Sequence, residues 1–173
     1  MNDKIRKICV TALGIALYVA VSMILKIPVV GHISLDLGYI VLAVFCYLYG
    51  GVQGAIVGAA GCTLVSLLAS GWFPIGWLLG NAFIGWFCGT PLSDFRNINW
   101  KSMAWCAASV FIGVFVIKTT VECLLYNIPL IVKMPKNAIA AAMDAVVFCV
   151  GLTLAPRIER ITKVKRRCSY EIL

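Results

Sequence analysis

Charge is scarce in this chain. Only 13% of its 173 residues are Asp, Glu, Lys or Arg, and there is a single histidine; a soluble domain carries about 25% charged residues. With 62% hydrophobic residues and a mean hydropathy of +0.97, an ordinary water-soluble domain is excluded. The lone histidine rules out a His-Glu-x-x-His metal site. No phosphate-cradling glycine loop and no nucleophile elbow occur, so no ATPase or hydrolase machinery is expected in the chain itself. The 8 cysteines stand at 9, 46, 62, 88, 106, 123, 149 and 168. None forms a Cys-x-x-Cys pair, which excludes a zinc or redox motif; they read as small apolar residues packed in helices. No catalytic residue, cofactor or metal is expected.

What the chain has is long apolar runs. Six are read as membrane spans, over about residues 9–27, 37–49, 52–70, 75–89, 103–126 and 137–155, each near the ~20 residues that cross a bilayer except the shorter second and fourth. Pro28, the pair Gly50-Gly51, the turn Gly71-Trp72-Phe73-Pro74, a polar segment over 90–102, a loop over 127–136 with Pro129 and Pro135, and Pro156 separate or close them. The fold class expected is all-α: one integral membrane domain over 1–173, a six-helix bundle with a basic tail over 156–173. The first run lacks a clear small-residue cleavage site and keeps a span's length, so it is not expected to be a signal peptide.

Six spans place both termini on one side. That side collects Lys4, Arg6, Lys7, Arg96, Lys101, Arg157, Arg160, Lys163, Lys165, Arg166 and Arg167, which is 11 of the 15 basic residues. By the positive-inside rule it is cytoplasmic. The net charge of +8 is thus read as topology and contact with lipid headgroups, with no nucleic-acid partner expected. Trp72 and Phe73 fall at the outer end of span three, and Trp100 and Trp105 near the inner end of span five, where amphipathic rings favour the interface.

Against this apolar background Lys118, Glu122 and Asp144 stand out. A charge in hydrocarbon is rarely kept without a partner or a task. Counting 1.5 Å per residue, Lys118 lies about 12 Å below the outer end of span five, Glu122 about 6 Å, Asp144 about 13 Å down span six, and Asn81 about 10 Å down span four. All four fall in the outer half. Lys118 and Asp144 reach nearly equal depth on consecutive antiparallel helices and are expected to be neighbours able to pair directly. Lys118 and Glu122, four apart, share a helix face. A polar cavity lined by spans four, five and six follows. Its expected substrate-binding residues are Asp36, Trp72, Phe73, Trp77, Asn81, Lys118, Glu122, Tyr126, Asn137 and Asp144, with His32 from the first outer loop. Aromatic walls with a few fixed polar groups are what a small-molecule pocket needs.

On span one, Ala12, Ala16 and Ala20 stand four apart. Such a smooth face lets another helix approach closely, either inside the bundle or from a partner.

These features together resemble the substrate-binding (S) component of an energy-coupling factor (ECF) vitamin transporter. The resemblance is carried by Ala12-x-x-x-Ala16, by Leu37-Gly38-Tyr39-Ile40 leading into Tyr49-Gly50-Gly51-Val52-Gln53-Gly54-Ala55-Ile56-Val57-Gly58-Ala59, and by Gly71-Trp72-Phe73-Pro74 before a Gly-rich fourth span. It implies capture of an external vitamin or related micronutrient between the outer loops and spans four to six. It further implies docking through the span-one alanines to a transmembrane coupling subunit, uptake powered by two cytoplasmic ATPase subunits, toppling in the membrane to release the ligand, and a multi-pass location in a bacterial plasma membrane. No riboflavin-, thiamine- or biotin-type signature stands out, and folate-like, flavin-like and pyridoxine-like ligands stay open. The alternatives are a small channel or structural membrane protein with a buried Lys–Asp pair, and a small membrane enzyme. A channel calls for polarity along a whole helix, and an enzyme for a clustered His, Cys or carboxylate set at one interface.

Overall fold

The computed structural model describes residues 3–25, 27–30, 33–94, 98–127 and 129–162. Helix α1 (Asp3–Ile24) leads into an antiparallel hairpin of β1 (Ile27–Val30) and β2 (Ile33–Leu35), with Ile27 opposite Leu35 and Pro28 opposite Ser34. The sequence predicts a loop here; the short hairpin replaces that loop within a bundle that is otherwise helical. The hairpin's β-branched residues favour extended backbone, and Pro28 sits beside the register irregularity between Pro28 and Val30, where a strand tolerates a missing N–H. His32 lies outside the described residues.

Helix α2 (Gly38–Tyr49) has only 12 residues, yet nine of them, from Gly38 to Leu48, are buried. A helix apolar all round belongs inside, and α2 packs against α1, α3, α4 and α7. Gly50, at φ +84°, makes the turn into α3 (Gly51–Ser70). Gly71, at φ +66°, ends that helix, its N–H donating to the Leu67 carbonyl at 3.0 Å; both angles favour glycine, which has no Cβ to clash. Then come α4 (Ile75–Asp94), α5 (Trp100–Phe111), a π-helical segment (Ile112–Lys118), α6 (Thr119–Tyr126) and α7 (Leu130–Thr162). The π segment joins α5 and α6 into one rod, Trp100–Tyr126.

Several boundaries differ from the sequence expectation. Helix α4 continues past Gly89 through Pro91 to Asp94. Helix α7 begins at Leu130, where a loop was expected, and runs through Pro135 and Pro156 to Thr162. Each proline forfeits one i→i−4 hydrogen bond, a loss that helices packed among others tolerate. Among the described residues four helices are long and apolar enough to cross a membrane: Lys4–Ile24, Gly51–Ser70, Trp100–Tyr126 and Lys133–Ile161.

Helices α3 and α4 meet backbone to backbone. A Cβ on Gly85 would run into the backbone of Gly54 and Ala55, and one on Gly89 into Gly50 and Gly51. The glycines spaced along both helices thus act as a seam, giving close dispersion contact where lipid removes any hydrophobic drive. Tyr18, Tyr39, Leu42, Ile84, Phe148 and Leu152 fill the core. On α1, by contrast, Ala12, Ala16 and Ala20 are all exposed.

Candidate functional site

The buried charged side chains Lys118, Glu122 and Asp144 gather around one cavity. This cavity, of about 330 Å³, is lined by Ser22 of α1, Asp36 before α2, Cys62, Val65 and Ser66 of α3, and Trp77 of α4. The rest of its wall is Lys118 and Glu122 of the long rod and Lys133, Lys136, Asn137, Ala140 and Asp144 of α7. A second hollow of about 260 Å³ shares Ser66, Trp77, Glu122 and Lys133 with it and adds Trp72 and Tyr126.

Lys118, 6% exposed, closes the π segment. Its Nζ donates to Asn137 Oδ1 at 3.0 Å and lies 3.7 Å from the centroid of the Trp77 ring. Asn137 in turn donates through Nδ2 to Thr119 Oγ1 at 2.8 Å. The ammonium is therefore held by an amide and an aromatic face, each able to stabilise a desolvated cation. The expected direct pair between Lys118 and Asp144 does not form. Among the described residues the one ion pair is Lys133 Nζ to Glu122 Oε2, at 2.9 Å. Lys118 and Asp144 line the same cavity but face it separately, because Asn137, two turns before Asp144 on α7, reaches Lys118 first.

Asp36 is anchored from three sides. Its Oδ1 accepts from Ser22 Oγ at 2.6 Å and from the Gly38 N–H at 2.9 Å, and its Oδ2 accepts from Tyr18 OH at 3.4 Å. This carboxylate sits at the N-terminus of α2, where the helix dipole favours a negative charge, and it ties α1 to α2.

Of the residues expected to bind substrate, Asp36, Trp77, Lys118, Glu122, Asn137 and Asp144 line the main cavity. Trp72 and Tyr126 line the adjoining hollow, joined by a hydrogen bond from Trp72 Nε1 to Tyr126 OH at 3.1 Å. Phe73 is half exposed and lines neither. Asn81 is fully buried below, its Nδ2 donating to the Trp77 carbonyl at 3.0 Å while its Oδ1 has no partner. The walls also include helices α1 and α3, beyond the expected three spans. Sequence reasoning missed Ser22, Ser66, Lys133 and Lys136. The signal for the lysines was the spacing 133, 136, 137, 140, 144, one helical face once the helix is allowed to begin before Pro135. Ser22 lies opposite the alanine stripe, on the face α1 turns inward.

Comparison with known proteins agrees with this architecture. A UPF0397 protein of Streptococcus thermophilus is 31% identical over 88 residues, covering 51% of this chain and 49% of that protein. The UPF0397 protein YdcD of Lactococcus lactis subsp. lactis is 33% identical over 89 residues, covering 50% of this chain and 48% of its own length. The alignment to these curated relatives spans about half of their length. Among solved structures, the S component for biotin from an ECF-type ABC transporter superposes with a TM-score of 0.65 at 16% identity, covering 92% of this chain and 95% of that one; the two share a fold. A family model described as ECF-type riboflavin transporter, S component, matches residues 2–158. A polar cavity inside apolar helices, the shared S-component fold and this match over nearly the whole length lead to one conclusion: the chain belongs to the ECF-type riboflavin transporter S-component family.

Proposed function

We propose that this protein captures a vitamin or related micronutrient from outside the cell, in the cavity around Lys118, Asn137 and Asp144, and hands it inward as the S component of an ECF transporter. In this reading the chain crosses the membrane six times with both termini in the cytoplasm. The two helices outside the long apolar set, α2 and α4, are carried by burial and by the glycine seam. A transmembrane coupling subunit and two ATPase subunits supply the machinery that the chain lacks.

The observation that carries the proposal is the cavity itself. Five buried polar side chains, Ser22, Lys118, Glu122, Asn137 and Asp144, line a space of about 330 Å³, within the range of roughly 300–1,000 Å³ typical of small-molecule sites. Polar groups kept among apolar helices mark a substrate path more often than a packing device. The family's named vitamin, riboflavin, and the structural neighbour's, biotin, are the first ligands to try.

The test is direct. Protein purified in mild detergent is denatured and the extract is analysed by mass spectrometry, while Trp77 reports titration of a vitamin panel by fluorescence quenching. A released micronutrient and saturable quenching are expected, with Lys118→Met and Asp144→Asn each weakening affinity by roughly 10-fold or more. Protein that is repeatedly empty and silent across the panel sinks the proposal. Variants that lose thermal stability at unchanged affinity assign the two residues to packing.

A further inference from the structure

Six charged side chains line the main cavity, and five of them are accounted for. Asp36 is held by Ser22, Tyr18 and the Gly38 N–H. Glu122 and Lys133 pair with each other. Lys118 rests on Asn137 and Trp77. Lys136 is exposed at the rim, where water solvates it. The sixth, Asp144, is only 3% exposed and lines the cavity, yet it has no ion-pair partner and accepts no hydrogen bond from any described residue. A buried carboxyl group in that state either keeps its proton or takes donors from a bound group, and in both forms it offers an acceptor oxygen to the cavity.

The position of Asp144 says what that group is. It lies eight residues beyond Lys136 on α7, about 12 Å deeper into the bundle. Asp36, a second carboxylate, lines the same cavity. Asp36 is already satisfied, and Lys118, which lines the cavity too, is held by Asn137 and Trp77, so a group presenting N–H is the one that meets the acceptor oxygens left free on Asp144.

We propose that the molecule taken by this cavity carries an amino group, on a heterocycle or as an alkylammonium, that seats on the Asp144 carboxylate. This rests on the capture function proposed above and narrows its substrate class. With about 330 Å³ available, the site is at the small end of ligand pockets, which suits a one- or two-ring compound.

Two matched pairs isolate the group. Pterin and lumazine differ by a 2-amino against a 2-oxo substituent, and pyridoxamine and pyridoxine by an aminomethyl against a hydroxymethyl. Each is titrated into the purified full chain in detergent, read by tryptophan quenching and by thermal shift, alongside riboflavin and biotin. The expected result is that the amino member of a binding pair is tighter by roughly 10- to 100-fold, the worth of a hydrogen bond to a charged group, and that Asp144→Asn erases the preference. An oxo or hydroxyl member that binds as well as its partner overturns the amino requirement. So does a preference that survives in Asp144→Asn, and so does binding of riboflavin or biotin with both pairs silent; in each case capture itself stands. Silence toward all six compounds overturns the capture reading instead. The wild-type comparison needs no variant, so it decides the matter even if Asp144→Asn folds poorly.

Discussion

Asn137 holds the cavity wall together in two directions, accepting from Lys118 and donating to Thr119. Its own burial, 4% exposed, makes both bonds hard to replace with water. Asn137→Leu keeps the volume but strands a buried ammonium and a hydroxyl. Destabilisation of about 1–3 kcal/mol is expected, measured as a lower unfolding midpoint in detergent. Lys118→Met made in the same background should then cost less than it does alone, because the stranded charge is gone; full additivity shows that the two residues act independently. At this scale the polar residues were readable from composition alone. Their partners were not: the equal depths of Lys118 and Asp144 suggested a pair, but depth leaves the azimuth of a side chain open, and Asn137 reaches the ammonium instead.

The elements owe their arrangement to small residues as much as to large ones. The glycine seam lets α4, which does not reach the apolarity of the four long spans, lie directly on α3, which does. Gly85→Val places two methyl groups against the backbone of Gly54 and Ala55. It should lower stability by about 1–3 kcal/mol through overpacking, whereas Leu68→Ala on the exposed flank of α3 should stay within about 0.5 kcal/mol. Thermal unfolding of the two variants side by side checks this; equal losses refute the seam. The π segment is the other element-level feature. Its i→i+5 hydrogen bonds insert a wider turn, and it ends at Lys118, so it sets the angle at which the long rod presents Lys118 and Glu122. Its i→i+5 register leaves no trace in an apolar run such as Ile112 to Ile117. The α7 start was missed for a different reason: Pro135 reads as a helix breaker, but a helix packed among others tolerates the one hydrogen bond it loses there.

For the whole molecule, the question is which face meets another protein. The alanine stripe of α1 is exposed at all three positions, while the opposite face of the same helix carries the buried Tyr18 and Ser22. Internal packing of the stripe within this chain is therefore set aside, and a partner face is the proposal that follows. Ala16→Trp should leave ligand affinity unchanged while abolishing both uptake in cells and co-purification with a coupling subunit. Survival of uptake places the docking surface elsewhere.

The run lengths, the glycine and proline breaks and the scarcity of charge were enough to state that the chain is a helical membrane protein and where most of its helices lie, since transfer of each segment into hydrocarbon depends on that segment's own side chains. The alanine stripe and the three charges set within apolar runs were legible for the same reason. The hairpin after α1, the enclosure of the short α2, the anchoring of Asp36 and the isolation of Asp144 were decided only by the tertiary structure. Each depends on which faces of separate helices meet, and a one-dimensional pattern of hydropathy carries no record of the rotation of one helix against another.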